Sequence, residues 1–191
     1  RLGVSTDTED STGKVLDTSD TPVSCELLES LLPRFRGEIM QVPPMYSAVS
    51  KDGKRLYELA RKGIEVERDA RPVTIFKLEL IEYNEETREG KLTVSCSKGT
   101  YIRTLIADLA KAAGSLGVMT ALRRTKACGF TLADAIPLDE AKALSEAGTL
   151  EEKLRPVESL FAHLPAITVS GAQATLFGNG GQLDLKRIPA F

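Results

Sequence analysis

Cysteine and histidine are scarce in this chain of 191 residues, which holds three cysteines and one histidine. Cys25, Cys96 and Cys128 are widely spaced without a C-x-x-C motif, and His163 cannot complete a zinc ligand set with them. An odd number of cysteines at such distances also does not make the framework of a small disulfide-rich domain. We therefore expect neither a structural zinc site nor disulfide bonds.

Long apolar runs are absent as well. No segment approaches the ~20 apolar residues needed to span a bilayer, and no charged leader followed by an apolar stretch opens the chain. These absences predict a cytoplasmic protein that is not anchored in a membrane. Hydrophobic residues at 42% and charged residues at 27% are ordinary proportions for a globular domain, so the chain is expected to fold.

Charge is distributed unevenly along the chain, although the formal net charge is only −2. The first 33 residues hold seven acidic and two basic side chains, whereas residues 51–62 hold five basic and two acidic ones. Residues 98–126 hold six basic side chains and one acidic one. If the two basic segments fold side by side, they form an anion-binding face. The alternative is that each is simply a solvated helix surface.

Apolar periodicity predicts an alternation of helices and strands. Ser24 is placed to cap a helix over residues 25–32, and Pro137 opens another helix that runs to about residue 147. A strand over 72–83, with one bulge, and a second strand over 92–96 are joined by a polar linker. That linker indicates an antiparallel pair.

Other segments read as loops and short elements. Two consecutive prolines favour an extended loop over residues 41–47, a turn follows at 51–54, and a short helix is predicted over 56–62. Beyond residue 164, a strand at 167–169, a short helix from Ser170 and two glycines suggest the start of a small β unit.

The segment from Val94 to Lys126 is the most informative one. A strand is followed by a short polar turn and then by a helix predicted over 100–113, so the free amides of the first helical turn favour an anion at the tip of the strand. Arg103 lies off the apolar stripe of this helix, and its guanidinium can reach a carboxylate or a phosphate at the same end. Spacing alone equally allows a helix capped by Thr100, with Arg103 in a surface ion pair.

Leu122-Arg123-Arg124 follows a loop that contains two glycines. These three residues add to the basic segment, but the same pattern also fits a buried strand edge that carries two solvated arginines.

Five segments resemble those of a known family in the same order. They are RLGVSTDTEDSTGKV (1–15), QVPPMYSAVSKDGKRLYELARKGIEV (41–66), ARPVTIF (70–76), CSKGTYIRTLIADL (96–109) and LRRT (122–125). Together they resemble the bacterial tRNA pseudouridine-55 synthases, the TruB family, over residues 1 to about 164. The residues after 165 resemble the opening of the small RNA-binding PUA domain that ends these proteins.

The resemblance implies an α+β fold with a mixed, largely antiparallel sheet flanked by helices. Residues 1–164 would form a partial catalytic domain in which 41–66 is a thumb-like RNA-binding insertion, and 165–191 would begin a truncated PUA-like β unit. The implied reaction isomerises uridine 55 in the T-arm of tRNA by base flipping, glycosidic bond cleavage and reattachment through carbon 5, with no metal or organic cofactor. The expected partner is therefore tRNA, and a monomer is expected.

The resemblance also assigns roles to individual residues. The arginine of the GTYIR motif, Arg103, pairs with the catalytic aspartate, because a fixed guanidinium keeps a carboxylate ionised and oriented. Tyr101 lies against the target nucleotide, and Leu122 packs on the flipped base. The expected phosphate contacts come from both basic segments and are Lys51, Lys54, Arg55, Arg61, Lys98, Arg123 and Arg124.

The chain departs from the family pattern in one important respect. The G-x-x-D-x-x-A-T-G motif, which supplies the aspartate nucleophile, and the K-x-Y motif have no counterpart in the 191 residues. Asp7 and Asp10 belong to the TDTED stretch, for which capping of a turn is the simpler interpretation. The chain begins with Arg1, and we expect it to be a piece of a longer enzyme. Alone, this piece is not expected to catalyse the reaction.

Two other functions remain open from the sequence. A non-catalytic RNA-binding module would use Lys51, Arg55 and Arg123 as phosphate anchors and would need no aspartate. A protein-interaction fragment would leave the same basic residues solvated.

Overall fold

The structure is a computed structural model that describes residues 1–183. Contacts within the chain divide it into two units, Arg1–Leu122 and Arg123–Phe191. The first unit contains, in chain order, β1 (Val4–Thr6), β2 (Val15–Thr18), α1 (Cys25–Leu31), a 3-10 helix (Leu32–Phe35), β3 (Gly37–Gln41), β4 (Ser50–Lys51), β5 (Lys54–Arg55), α2 (Leu56–Ala60), β6 (Arg71–Asn84), β7 (Glu89–Cys96) and α3 (Ile102–Ala112). The described part of the second unit contains β8 (Lys126–Ala127), β9 (Phe130–Thr131), α4 (Leu138–Glu146), α5 (Gly171–Gly178) and 3-10 helices at Leu132–Asp134, Leu150–Lys153 and Val157–Phe161.

The main sheet of the first unit is antiparallel and has the strand order β3-β6-β7. β3 pairs with the N-terminal part of β6, so that Gln41 lies opposite Arg71. β7 pairs with β6 as predicted, with one irregularity after Ile75 and another after Leu80. The sequence pattern predicted only one bulge, so the second is a difference from expectation. Each bulge increases the local twist of the sheet.

The hydrophobic core of the first unit combines residues of this sheet with residues of α1 and α3. Ile75 and Leu78 of β6 are fully buried and belong to one cluster with Leu28 of α1. Leu105 and Leu109 of α3 join the same cluster, as expected of residues four apart on one helix face. Burial of each such side chain is worth about 1.5–3 kcal/mol relative to exposure. This packing fixes α3, and with it the residues at its N-terminus, against the sheet.

The helix starts are set by local hydrogen bonds. Ser24 caps α1 by accepting a hydrogen bond from the N–H of Leu27 at 3.2 Å, as the sequence predicts. α3 begins two residues later than predicted, with Tyr101 at its N-cap. The hydroxyl of Thr100 donates to the carbonyl of Ser97 at 2.9 Å and so belongs to the preceding turn. The interpretation of Thr100 as the helix cap is therefore wrong.

Two short hairpins complete the first unit. β1 and β2 pair antiparallel and are connected by a loop over residues 7–14. Single β-bridges join Leu2 to Gly117 and Asp10 to Met119, so the chain after α3 holds this hairpin in place. β4 and β5 pair through the turn at residues 52 and 53, both with positive φ, which is the two-residue turn that fits the twist of a hairpin.

The second unit is built from short elements. Asp134 accepts hydrogen bonds from the N–H and the hydroxyl of Thr131, both at 2.9 Å, and these bonds hold the pKa of Asp134 below its ordinary value. α4 begins directly after Pro137, as predicted. Residues 167–169 form no strand, so the strand expected there is absent from the described part of the chain. The short helix expected from Ser170 is present as α5. The rest of the expected PUA-like unit falls on residues 184–191, outside the described residues.

The fold class expected from the sequence, α+β with a largely antiparallel sheet, is confirmed by these elements. Cys25, Cys96 and Cys128 are all free thiols. Within residues 1–183, no helix is both long and apolar enough to cross a membrane.

Candidate active site

The turn between β7 and α3 is held by hydroxyl groups. The N–H of Thr74 in β6 donates to Ser97 Oγ at 2.9 Å, and the N–H of Ser97 donates to the carbonyl of Thr74 at 2.8 Å. Gly99 has a φ of +84°, which a glycine adopts without strain. Lys98 is exposed on this turn. The turn therefore attaches the N-terminus of α3, with Tyr101 at its N-cap, firmly to the sheet.

Arg103, in the first turn of α3, connects two distant loops. Its guanidinium donates to the carbonyl of Thr8 at 2.9 Å and to the carbonyl of Tyr46 at 2.8 Å. Thr8 lies in the loop between β1 and β2, and Tyr46 lies between β3 and β4. Among residues 1–183, no carboxylate forms an ion pair with Arg103. The surface ion pair that spacing allowed is therefore wrong, while the pairing of Arg103 with a catalytic aspartate stays a prediction.

Tyr101 is held through its backbone by Gln41. The N–H of Tyr101 donates to Gln41 Oε1 at 2.8 Å, and Gln41 Nε2 donates to the carbonyl of Tyr101 at 3.1 Å. Gln41 is the last residue of β3 and is only 2% exposed. In the sequence, Gln41 is only the first residue of the segment 41–66, because nothing local links it to a tyrosine 60 residues away.

Glu9 is a second residue that sequence analysis did not identify. Its carboxylate accepts a hydrogen bond from Thr104 Oγ1 at 2.6 Å, beside the N-terminus of α3. Burial raises the pKa of Glu9, while the hydrogen bond from Thr104 and the charge of Arg103 act in the opposite direction. The backbone of Glu9 has a φ of 59°, a conformation that residues other than glycine rarely adopt. An acidic group thus lies near Arg103 without forming an ion pair with it.

Asp7 and Asp10 hold the loop between β1 and β2. Asp7 Oδ1 accepts a hydrogen bond from the N–H of Lys14 at 2.8 Å. Asp10 Oδ1 accepts from the N–H of Thr12 at 3.1 Å and from its hydroxyl at 2.9 Å. These bonds are the turn-capping contacts that the sequence suggested. They support the loop whose Thr8 carbonyl binds Arg103.

In the part of the chain that the structure describes, no three His, Cys, Asp or Glu residues are grouped to hold a metal ion.

The segment 41–66 contains the β4–β5 hairpin and α2 and is closed at its base by basic side chains. Lys51 Nζ donates to the carbonyl of Glu67. Arg68 donates to the carbonyl of Pro43 at 3.2 Å, close to where the segment leaves β3. The contact of Arg68 with Pro43 joins the chain just after the segment to its beginning, and the contact of Lys51 ties the β4–β5 hairpin to the same stretch after the segment.

The four basic residues predicted to bind phosphate in this segment have different environments. Lys54 is exposed on the hairpin. Arg55 donates to the carbonyl of Ala48 at 2.6 Å, and its guanidinium has further N–H groups for other acceptors. The guanidinium of Arg61 lies over the ring of Tyr57, 5.3 Å from its centroid, in a cation–π contact. Lys51, by contrast, is half-buried with a main-chain partner.

Leu122, Arg123 and Arg124 lie in an irregular stretch, and all three are exposed. Leu122 is 59% exposed and ends the first unit, whereas the two arginines begin the second. The interpretation of this stretch as a buried strand edge is therefore wrong. Of the predicted site residues, Lys98, Tyr101 and Arg103 lie at the N-terminus of α3 and in the turn before it, where their closeness follows from their positions in the sequence.

Two family models match the chain. A model described as TruB family pseudouridylate synthase (N terminal domain) matches residues 1–102, and one described as tRNA pseudouridylate synthase B C-terminal domain matches residues 103–162. The boundary between the two matches falls inside the GTYIR motif, whereas the compact units divide after Leu122.

Several curated proteins are similar over nearly the whole chain. The tRNA pseudouridine synthase B of Dechloromonas aromatica is 43% identical over 185 residues, which cover 97% of this chain and 61% of that protein. The protein of the same name from Azoarcus sp. is 46% identical over 183 residues, which cover 96% of this chain and 60% of that protein. The protein of the same name from Bacillus pumilus is 41% identical over 189 residues, which cover 96% of this chain and 61% of that protein. The chain thus spans about three-fifths of the length of these curated relatives.

A solved structure supports the same fold. A chain from a structure entitled Crystal Structure of a Cbf5-Nop10-Gar1 Complex superposes with a TM-score of 0.65 at 26% identity. The match covers 85% of this chain and 46% of that one.

Proposed function

We propose a function for this chain on the premise that it belongs to the TruB family of pseudouridylate synthases. The substrate in this proposal is tRNA, and the reaction converts uridine 55 of the T-arm to pseudouridine. The base is flipped out of its stack, the bond between C1′ and N1 breaks, and C1′ is rejoined to carbon 5, whose hydrogen leaves as a proton while N1 takes up a proton. Neither a metal nor an organic cofactor takes part.

The observation that carries the proposal is the arrangement around the N-terminus of α3. Tyr101 and Arg103 lie on one turn, and Arg103 is bonded to the carbonyl of Tyr46 in the segment that carries the basic hairpin. A guanidinium has five N–H donors, so the bonds to two carbonyls leave others for a carboxylate or a phosphate. Because the side chain is already held, little rotamer freedom is lost when such a group binds.

We assign the residues of the site as follows. Arg103 orients the catalytic aspartate, Tyr101 lies against the target nucleotide, and Leu122 packs its exposed side chain on the flipped base. Residues 41–66 act as a thumb-like insertion over the T-arm, within a catalytic domain that extends to residue 164, and residues 165–191 begin a PUA-like unit. The phosphate contacts are assigned to Lys51, Lys54, Arg55, Arg61, Lys98, Arg123 and Arg124. The protein acts as a monomer in the cytoplasm.

The nucleophile is the part of the reaction that these 191 residues do not supply. The G-x-x-D-x-x-A-T-G motif is not in the sequence. The carboxylates of the loop whose Thr8 carbonyl binds Arg103 have other partners, since Asp7 and Asp10 cap a turn and Glu9 accepts from Thr104. We therefore assign binding of the T-arm to the 191-residue chain. The chemical step is assigned to a chain that also carries the G-x-x-D-x-x-A-T-G motif.

A second candidate is a non-catalytic RNA-binding module. It is favoured by one observation: the hydrogen bonds of Arg103 go to main-chain carbonyls, and no ion pair with a described carboxylate is formed. In that case the basic residues bind RNA, and Arg103 only supports the fold.

The deciding experiment is release of tritium from carbon 5 of labelled uridine in a tRNA, because rejoining through carbon 5 must expel that hydrogen. It compares the 191-residue chain with a chimera in which it is preceded by the part of a family member that carries both the G-x-x-D-x-x-A-T-G motif and the K-x-Y motif. The matched control is the same chimera with the aspartate of the motif changed to asparagine. Binding of a T-arm stem-loop is measured for all three proteins at several salt concentrations.

We expect release by the chimera alone and salt-dependent T-arm binding by all three proteins. T-arm binding without release by the folded chimera would favour the RNA-binding module. Release by the 191-residue chain, confirmed by its intact mass, would contradict our assignment of the nucleophile. Failure of all three to bind RNA at low salt would favour a protein-interaction role.

A further inference from the structure

The amide of Gln41 is matched to the backbone of a single residue. Its oxygen accepts from the N–H of Tyr101 and its nitrogen donates to the carbonyl of Tyr101, at 2.8 and 3.1 Å. Gln41 is 2% exposed, so water does not compete with either bond. A primary amide is the side-chain group that offers both an acceptor and a donor in this geometry.

The two bonds lie on either side of the Tyr101 Cα atom. Tyr101 has a φ of −96° and a ψ of 106°, and at this N-cap position its own side chain makes no capping hydrogen bond. Its carbonyl also accepts the first helical hydrogen bond, from Leu105, at 3.0 Å. Fixing both peptide groups fixes φ and ψ, and these two angles set the direction of the Cα–Cβ bond.

Gln41 is itself fixed by the sheet. It ends β3 and is paired with Arg71 of β6. It is also the residue from which the segment 41–66 leaves the sheet. The Gln41 side chain thus ties the backbone of Tyr101 to the sheet, although the two residues are far apart in the sequence.

We propose that Gln41 is a positioning residue, which sets the direction in which the Tyr101 side chain leaves the main chain. The importance of that direction for catalysis rests on the proposed function, in which Tyr101 lies against the target nucleotide. The positioning itself does not, and it can be measured without RNA.

The test uses the 191-residue chain labelled with 3-fluorotyrosine. The chain has four tyrosines, Tyr46, Tyr57, Tyr83 and Tyr101, so its fluorine NMR spectrum contains few resonances. The Tyr101 resonance is assigned from Tyr101→Phe. Gln41→Met removes both bonds at similar side-chain volume. In Gln41→Glu the buried carboxyl keeps an acceptor and a donor while it is protonated and loses the donor when it ionises, so its spectrum is recorded on both sides of that titration.

A matched control is Met40→Ala, at the neighbouring position of β3, which is 63% exposed. We expect Gln41→Met to shift or broaden the Tyr101 resonance while those of Tyr57 and Tyr83 stay in place, and Met40→Ala to leave all four unchanged. An unchanged Tyr101 resonance in folded Gln41→Met would overturn the proposal. If that variant does not fold, Gln41→Glu decides in the same way, because ionisation of its carboxyl removes the donor and must move this resonance.

The consequence for catalysis is measured in the chimera that carries the aspartate motif. Gln41→Met should lower kcat for tritium release about tenfold or more while KM changes less than twofold, since misplacement of a group at the reacting centre affects the rate more than substrate binding. Equal kcat for folded Gln41→Met and the parent would overturn a positioning role in the reaction. If the parent chimera itself releases no tritium, the proposed function fails, and the NMR result still decides whether Gln41 orients Tyr101.

Discussion

Removal of the Arg103 guanidinium should destabilise the first unit by an amount that its two contacts allow us to work out. Arg103→Met keeps the length of the side chain and deletes the bonds to the carbonyls of Thr8 and Tyr46, at 2.9 and 2.8 Å. A hydrogen bond from a charged group contributes about 1.5–3 kcal/mol. Arg103 is only half-buried, so water recovers part of this, and we expect a loss of about 2 kcal/mol for the pair.

For a unit of this size, such a loss corresponds to a decrease in Tm of about 6–10 °C. Thermal unfolding followed by circular dichroism measures it. The Tm of Arg103→Lys should lie between the Tm of Arg103→Met and that of the parent, because an ammonium is a point charge that does not span two carbonyls as a guanidinium does. Arg34→Met, at an exposed arginine of the 3-10 helix, is the matched control and should change stability by less than about 0.5 kcal/mol. If Arg103→Met and Arg34→Met unfold at the same temperature, the reasoning about these two bonds is wrong.

Three further predictions concern the same unit. Because burial raises the pKa of Glu9, the folded state binds the carboxyl proton more tightly than the unfolded state does. The contribution of Glu9 to the free energy of unfolding therefore declines as pH rises from about 4.3 through the folded pKa. Glu9→Gln should flatten that decline in urea titrations at several pH values. Gly117→Ala should lower Tm by several degrees, since the added Cβ would lie 2.6 Å from the Cβ of Ala110; an unchanged Tm would show that the chain after α3 moves easily. Lys54→Gln with Arg55→Gln should weaken T-arm binding and reduce the slope of log K against log salt by about 1–2, and an unchanged slope would remove these residues from the phosphate contacts.

Elements stabilised by residues close in sequence were predicted well. The cap at Ser24, the helix after Pro137 and the turn at 51–54 all depend on interactions within a few residues, and each is present. The start of α3 was predicted less well. Thr100 is a good cap by residue type, but its hydroxyl has a competing acceptor in the turn at Ser97.

The sequence by itself determined the family, because its motifs are contiguous in the chain, and the resemblance to that family implied the fold class. Apolar periodicity predicted the individual helices and strands, and the motifs predicted a site around Tyr101 and Arg103. Only the tertiary structure decided what these residues contact. The partners of Arg103 and Tyr101, the closeness of Glu9 to α3 and the contacts of Gln41 depend on hydrogen bonds between residues 57 to 95 positions apart. Such bonds leave no periodic trace, since a buried polar side chain bonds whichever complementary backbone group the packing of sheet and helix brings within reach.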